Sequence, residues 1–566
     1  MPSSCARSPP SSARTAPIKP QLRAVTPDGG RRAIPRVTLS VSKGIASSTL
    51  FVMAATLGST ILGFSREVVN ARYFGTQWQM DTFLIAATVP TILFGVFNGA
   101  LVSALVPTFS EYLTHGEEEE AWRLGNTIIN GLAILLALCA VLGYILAPYY
   151  VPIIAHGFPG PQMGVAIRMT RWMMPSIVAV SLSGVFSAML NAYRRFRAAS
   201  LTGIAVNAVT IGCVIALNQK IGIYALALGT ALGLIAQMAV QLPALLAIGK
   251  YRPVIHWNHP GLPKIWLLLG PIMVGSAAGQ IALFFDRYFA STLSPGYMAG
   301  MNYATKLVGF PLQIFAAAIA TVIFPLLAAQ FAQANRRGVG TSVITGLRLV
   351  NFITIPSACA LIVLAHPIVQ TLFQRGTFKA SATELTAGLL PYAAVGLIAL
   401  ASNVVLTRCC FACKEMSWPV AISVFTVVVN VLLSLAWLSS LGARGLLLAN
   451  SVSQSMQALL LFGLVWRLVH GIRWKPLLGS LGKICLSSLV MIAALHWIGA
   501  LGVHPAPSLV SRAWYLFGQV AIGGLVFVAA ARALDIEELS MAWRLIVEKF
   551  ERNIIAPPEN REAPIA

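Results

Sequence analysis

Arg66, Glu67 and Arg72 close an apolar run of about 17 uncharged residues that would suit a membrane interior. Asp81 opens the next such run, Asp286 and Arg287 lie in a later one, and Lys306 stands early in the one after that. An Arg or Lys near the bilayer centre costs roughly 2.5 to 3.5 kcal/mol on insertion scales, so cations kept there usually face a wet cavity or a partner. The chemistry they offer is anion binding, since a guanidinium grips phosphate oxygens as a fork and an ammonium holds them as a point charge. Arg66, Arg72, Asp81, Arg287 and Lys306 are therefore the candidate substrate-binding residues. On a helix Arg66 and Asn70 share a face, with Arg72 about 240° round. Two quieter arrangements stay open: an ion pair of Arg66 with Glu67 or Asp81, and snorkelling of Arg72, Arg287 and Lys306 to the headgroups.

The chain that carries these charges has 566 residues, 57% hydrophobic and only 10% charged, with mean hydropathy +0.76. An ordinary soluble protein, about a quarter charged, is excluded. Apolar runs of about 20 residues, each able to cross roughly 30 Å of hydrocarbon, predict an all-α polytopic membrane protein with about fourteen transmembrane helices. Their centres fall near Val52, Ile92, Leu136, Val180, Ile211, Leu234, Val274, Phe315, Thr354, Leu397, Val427, Ala458, Val490 and Ile522. Residues 1–43, rich in Ser, Pro and Arg, read as a disordered basic cytosolic tail with no apolar run, which argues against a secretory signal peptide; an organelle transit peptide is the other reading. Residues 44–250 hold spans one to six, 251–472 spans seven to twelve, 473–533 spans thirteen and fourteen, and 534–566 a cytosolic C-terminal tail.

Formal charge is +22, but the cations are spread over short connectors rather than one nucleic-acid-binding face. Connectors after even-numbered spans hold roughly fourteen Lys and Arg against roughly five in the odd ones, which places both termini in the cytosol. "HGEEEEAWR", His115 to Arg123, reads as a solvated helix start, because acids favour a helix N-terminus. Cys409, Cys410 and Cys413 form a lone C-x-x-C-type cluster, too little for a metal site, and none is assigned.

Similarity at an offset of about 215 to 220 residues betrays a duplication. Arg72-Tyr73-Phe74 recurs as Arg287-Tyr288-Phe289, Pro90 and Pro107 as Pro311 and Pro325, "NAYRRFR" from Asn191 as "RCCFACK" from Arg408, and "GIYALALG" from Gly222 as "GARGLLLA" from Gly442. An even repeat unit keeps its orientation, so two six-helix lobes face each other, with two additional C-terminal helices outside the duplication. That is the geometry of a transporter working by alternating access. Pro90, Pro107, Pro175, Pro271, Pro311, Pro325, Pro356 and Pro391 each remove a helical hydrogen bond and are candidate hinges or static bends.

"STILGFSREVVNARYFG", "MDTFLIAATVP", "ALVPTFSEY", the long "FFDRYFASTLSPGYMAGMNYATKLVGFPLQ" segment and "TLFQRGTF" together resemble the MurJ/MviN lipid II flippase family of the multidrug/oligosaccharidyl-lipid/polysaccharide exporter superfamily, over residues of about 45 to 470. The resemblance implies a cavity between spans one, two, seven and eight and a lipid-tail groove formed with the last two helices. It also implies an undecaprenyl-diphosphate-linked peptidoglycan precursor as cargo, with the inner bacterial membrane as location. Arg66, Arg72, Asp81 and Lys306 match family positions of cavity charge, and Asp286, Asn430 and Ser434 match positions where some members hold sodium. The chain departs from the pattern at Thr60, where the family has Arg, across "TILFGVFNG" in span two, where it has a basic pair, and at Thr305 beside Lys306, where a carboxylate is lost.

The expected function is thus a lipid II flippase carrying its cargo from inner to outer leaflet, with another polyprenyl-linked polysaccharide unit or a drug/cation antiport as alternatives. No cofactor is called for beyond a coupling sodium ion or proton. Expected partners are the lipid-linked glycan, membrane lipids and cell-wall synthesis proteins. An antiporter would prefer acids in its cavity. An enzyme on polyprenyl phosphates would need acids or His and Arg gathered in a sizeable loop, which the chain lacks, so a transporter is expected rather than an enzyme. No P-loop motif is present for ATP.

Overall fold

The computed structural model describes residues 37–249, 251–469, 474–500 and 508–541, with side chains at 37–50, 97–100, 103, 268, 271, 272 and 274 outside the description. The chain divides into two units. In residues 1–49 the described part is the start of a helix; residues 50–566 contain everything discussed below.

All described regular structure is helical. The first half comprises α1 (Val37–Phe74), α2 (Trp78–Ala86), α3 (Thr88–Thr114), α4 (Glu118–Ile154), α5 (Gly160–Met173), α6 (Ser176–Ala192), α7 (Phe196–Ser200), α8 (Thr202–Ile221), α9 (Tyr224–Ala239) and α10 (Leu242–Leu246). The second comprises α11 (Gly261–Ser291), α12 (Tyr297–Pro311), a π-helical turn (Leu312–Ala316), α13 (Ala317–Ala332), α14 (Arg336–Val363), α15 (Ala365–Phe373), α16 (Ala380–Ala394), α17 (Gly396–Ala412), α18 (Ser417–Leu441) and α19 (Ala443–Leu468). Last come α20 (Lys475–Ala500) and α21 (Leu509–Ala533), which pack on each other, with α20 also lying along α14. Residues 1–36 and 542–566 of the expected tails lie outside the described residues, and the expected boundary at 43 falls inside α1.

All fourteen expected span centres fall in helical backbone. Among the described residues, eleven stretches are long and apolar enough to cross a membrane, or twelve if α16 and α17, bent by 43°, form one span. The difference from fourteen sits at the first and seventh positions, where α1 and α11, 38 and 31 residues long, include positions whose side chains are not described.

Within the first half, α6 packs against α3, α4 and α9. The most apolar 18-residue window of Gly160–Ala192 is 78% buried, against 17% for that of Phe196–Ile221. Ser181, Ser183, Gly184 and Ala188 explain the central place of α6, because small residues let neighbouring backbones close in where lipid supplies no hydrophobic drive. In the second half α17 and α19 pack together, as do α12 and α16, while α11 reaches across to α3 as well as to α18. The outward faces carry exposed Ile134, Leu138, Ile145, Val322 and Leu459, as a lipid solvent allows.

The duplication is written into the backbone. Positive φ angles recur at Gly116 and Ala334 (78° and 55°), Arg194 and Lys414 (57° and 60°), and Gly222 and Gly442 (both 56°), each pair about 220 residues apart. These are the same helix-ending turns in both halves. The prolines divide by effect. Helix continuity breaks close to Pro90, Pro175, Pro311 and Pro391, whereas α3, α13 and α14 run through Pro107, Pro325 and Pro356. After Pro311 the break takes the form of the π-turn, a wider winding that absorbs the missing N–H donor.

Candidate interlobe transport site

Three chambers lie in a row across the two halves. The first, about 200 Å³, is lined by Arg66, Glu67 and Asn70 of α1 together with Thr91, Ser176 and Thr230. The middle one, about 260 Å³, takes Glu67 from α1, Thr88 and Thr91 from α3, Arg287 from α11, and Asn302 and Lys306 from α12. The third, about 280 Å³, is lined by Asp286 and Arg287 with Asn302, Thr305, Asn450 and Ser451. Glu67 and Thr91 belong to both the first and the middle chamber, and Arg287 and Asn302 to both the middle and the third. Expected spans one, two, seven and eight thus meet around one ionised space.

Arg66 Nη2 donates to Glu67 Oε1 at 3.0 Å, the ion pair held open from the sequence. Lys306 has no ion-pair or hydrogen-bond partner among the described residues, and its side chain is exposed to the cavity it lines. Arg287 is likewise free of a carboxylate within 4 Å among them. In this arrangement Glu67 occupies one cation, and two remain available to an anion.

One end of these helices is shut by contacts between backbones. The Thr377 N–H donates to the Arg72 carbonyl at 2.9 Å, and Thr377 Oγ1 donates to the same oxygen at 3.0 Å. The Tyr303 hydroxyl donates to the Gly75 carbonyl at 3.2 Å. Buried Asp81, on α2, accepts the N–H groups of Gly296 at 2.5 Å and Ala299 at 2.7 Å, so it caps α12 from the other half of the chain. Gly75, Gly157, Gly296 and Gly376 stand where a Cβ would come within 3.0 Å of the carbonyl oxygens of Thr377, Ser291, Thr76 and Arg72 respectively. Arg72 itself is exposed at this gate and lies 5.9 Å from the centroid of the Tyr73 ring. Burial first, and then the like charge of Arg72, push the Arg375 guanidinium below its usual pKa.

The sequence profile of the family described as "Lipid II flippase MurJ" matches residues 70–517. The chain belongs to the lipid II flippase MurJ family. It is 30% identical to "Probable lipid II flippase MurJ" of Rhizobium meliloti, over 88% of this chain and 95% of the relative. It is 29% identical to "Lipid II flippase MurJ" of Burkholderia cenocepacia, over 79% of this chain and 89% of the relative. The fold is similar to that of "Lipid II flippase MurJ, inward closed conformation" (TM-score 0.72, 24% identity, covering 88% of this chain and all of that one). It is also similar to an inward-facing multidrug resistance MATE family transporter of the MOP superfamily (TM-score 0.64, 13% identity, covering 75% and 99%).

Within this MurJ-family fold the sequence-derived residues separate by place. Arg66, Arg287 and Lys306 line chambers; Asp81 and Arg72 lie at the gate, Asp81 through its carboxylate and Arg72 through its carbonyl. Of the candidate ion ligands, Asp286 lines the third chamber, while Asn430 and Ser434 lie buried one turn apart on α18 and outside that lining. Asn430 Oδ1 and Ser434 Oγ have no hydrogen-bond partner among the described residues. Among the described residues no cluster of His, Cys, Asp and Glu is fit to hold a metal. The four gate glycines and Asn302 escaped the sequence reading. The glycine that ends "ARYFG" was the available signal, because a helix closed by Gly ends in a tight turn.

Proposed function

We propose that this chain is a flippase that moves lipid II, an undecaprenyl-diphosphate-linked peptidoglycan precursor, from the inner to the outer leaflet by alternating access. The observation that carries the reading is the middle chamber, in which Lys306 and Arg287 from the second half face Glu67 and Thr91 from the first. The distribution of Lys and Arg supports cytosolic termini, which puts the closed gate on the outer side and the cavity's entry on the inner side. A diphosphate with about two negative charges gains roughly 4 to 5 kcal/mol per 100 mV of inside-negative potential on full passage, so no ATP is required. Asp286, with the oxygens of Asn430 and Ser434 that have no partner among the described residues, supports a hard cation such as sodium, or a proton, as the coupling ion that resets the cycle.

Reconstitution in vesicles with labelled lipid II tests this directly. Wild type should expose lipid II to the opposite leaflet, and Lys306→Ala should abolish that movement with the protein stably folded. Unchanged flipping by Lys306→Ala and Arg66→Ala would overturn the cationic-cavity mechanism. A parallel arm with a different polyprenyl-linked glycan decides the cargo, and replacing sodium with potassium tests the coupling ion.

A further inference from the structure

A fourth cavity shares no lining residue with the three chambers and, at about 770 Å³, is larger than any of them. It lies where the end of α14 and the start of α15 meet the end of α20 and the first turns of α21. Its polar lining includes Arg512, His366, His496, Tyr515 and Gln519, with Gln370 and Thr371 beside them, its apolar lining includes Leu364 and Leu495, and no carboxylate lines it among the described residues.

Arg512, Tyr515 and Gln519 recur at i, i+3 and i+7, which puts them in one stripe along α21 from its first turn inward. Arg512 has no ion-pair partner among the described residues. Gln519 is 5% exposed, and its amide makes no hydrogen bond there; its Oε1 is fully buried without a partner. An unpaired buried amide costs on the order of 1 to 3 kcal/mol, so its place in the wall of a cavity points to a polar occupant. The order of chemistry along the stripe is the order found in a lipid crossing the interface. A cation and two imidazoles stand at the helix ends, a hydroxyl and an amide lie one to two turns deeper, and leucine side chains flank them.

We propose that this cavity is a binding site for a resident diacyl phospholipid with an anionic headgroup, separate from the transport path. Arg512, with His366 and His496, holds the phosphate. The Gln519 amide and Tyr515 hydroxyl meet the glycerol ester region, and the acyl chains run along Leu364 and Leu495. A polyprenyl tail alone would leave Arg512 and Gln519 unpaired, which is why a headgroup and its ester carbonyls fit better.

Native mass spectrometry of the full chain, delipidated and then titrated with phosphatidylglycerol, tests the site. Wild type should retain a phosphatidylglycerol adduct, and Arg512→Gln and Gln519→Leu should each weaken it about tenfold or more, with lipid II flipping still measurable. If Arg512→Gln fails to fold, Gln519→Leu carries the comparison. Equal retention by wild type and a folded variant overturns the proposal. So does displacement of the adduct by undecaprenyl phosphate at equal concentration, which would make the cavity part of the cargo path, or by inorganic phosphate alone, which would make it a simple anion site.

Discussion

At the scale of single residues, the charges near the bilayer have two different occupations. Lys306 lines the middle chamber without an ion-pair or hydrogen-bond partner among the described residues, whereas Arg66 is engaged by Glu67 at 3.0 Å. A hydrogen bond to a charged group is worth about 1.5 to 3 kcal/mol, so loss of Lys306 should cost cargo binding about tenfold to a hundredfold, and loss of Arg66 less. Asp81 works on the gate instead, through two backbone N–H groups at the start of α12. Asp81→Asn keeps the shape but replaces a charged acceptor by a neutral one, which should weaken gate closure by about 1 to 2 kcal/mol. Spin labels on Thr76 and Thr377 would read this as a larger population of long distances than in wild type. An unchanged distance distribution would place Asp81 outside the control of the gate. Sequence alone located these charges, because an ionised side chain in an apolar run is conspicuous. It did not separate Lys306 from Asp81, since what distinguishes them is a partner about 215 residues away.

At the scale of elements, the gate depends on helix ends that approach as bare backbone. Gly296 and Gly376 have φ of +92° and +61°, and a Cβ at either would meet a carbonyl oxygen of the other half, Thr76 or Arg72. A non-glycine residue in left-handed backbone costs about 1 to 2 kcal/mol before the clash is counted. Gly296→Ala or Gly376→Ala should therefore hold the gate open and slow transport more than tenfold. Gly164→Ala, with nothing within 4 Å of its Cβ, should leave transport near wild type. Solvent labelling of a cysteine placed at Thr377 would separate the two classes. Helix positions were legible from apolar runs, and the repeat from matched turns such as Gly222 and Gly442. Which prolines interrupt a helix was not legible, because Pro311 and Pro325 look alike in sequence, and only packing decides whether a freed carbonyl is absorbed by a π-turn or by neighbours.

At the scale of the whole molecule, α20 and α21 lie outside the duplication and are tied to it by an ionic latch. Arg348 of α14 donates to Glu537 at 2.9 Å and to buried Glu538, which also accepts from Ser480 of α20; Lys483 of α20 donates to the Asp535 carbonyl at 3.2 Å. Burial raises the Glu538 carboxyl, but the hydrogen bonds from Arg348 and Ser480 outweigh it and hold the group below its ordinary pKa. A depressed carboxylate pKa contributes stability that is fully present above the unfolded value of about 4.3 and is lost as pH falls through the folded one. Thermal unfolding of wild type should accordingly be insensitive to this latch from pH 8 to about 5 and weaken below about 4. Glu538→Gln leaves Arg348 with Glu537 alone, so it should cost about 1 to 3 kcal/mol at pH 7 and show a shallower fall in acid. Equal melting temperatures of the two proteins at pH 7 would mean that apolar packing of α20 along α14, rather than the charges, fastens the added helices to the duplicated bundle.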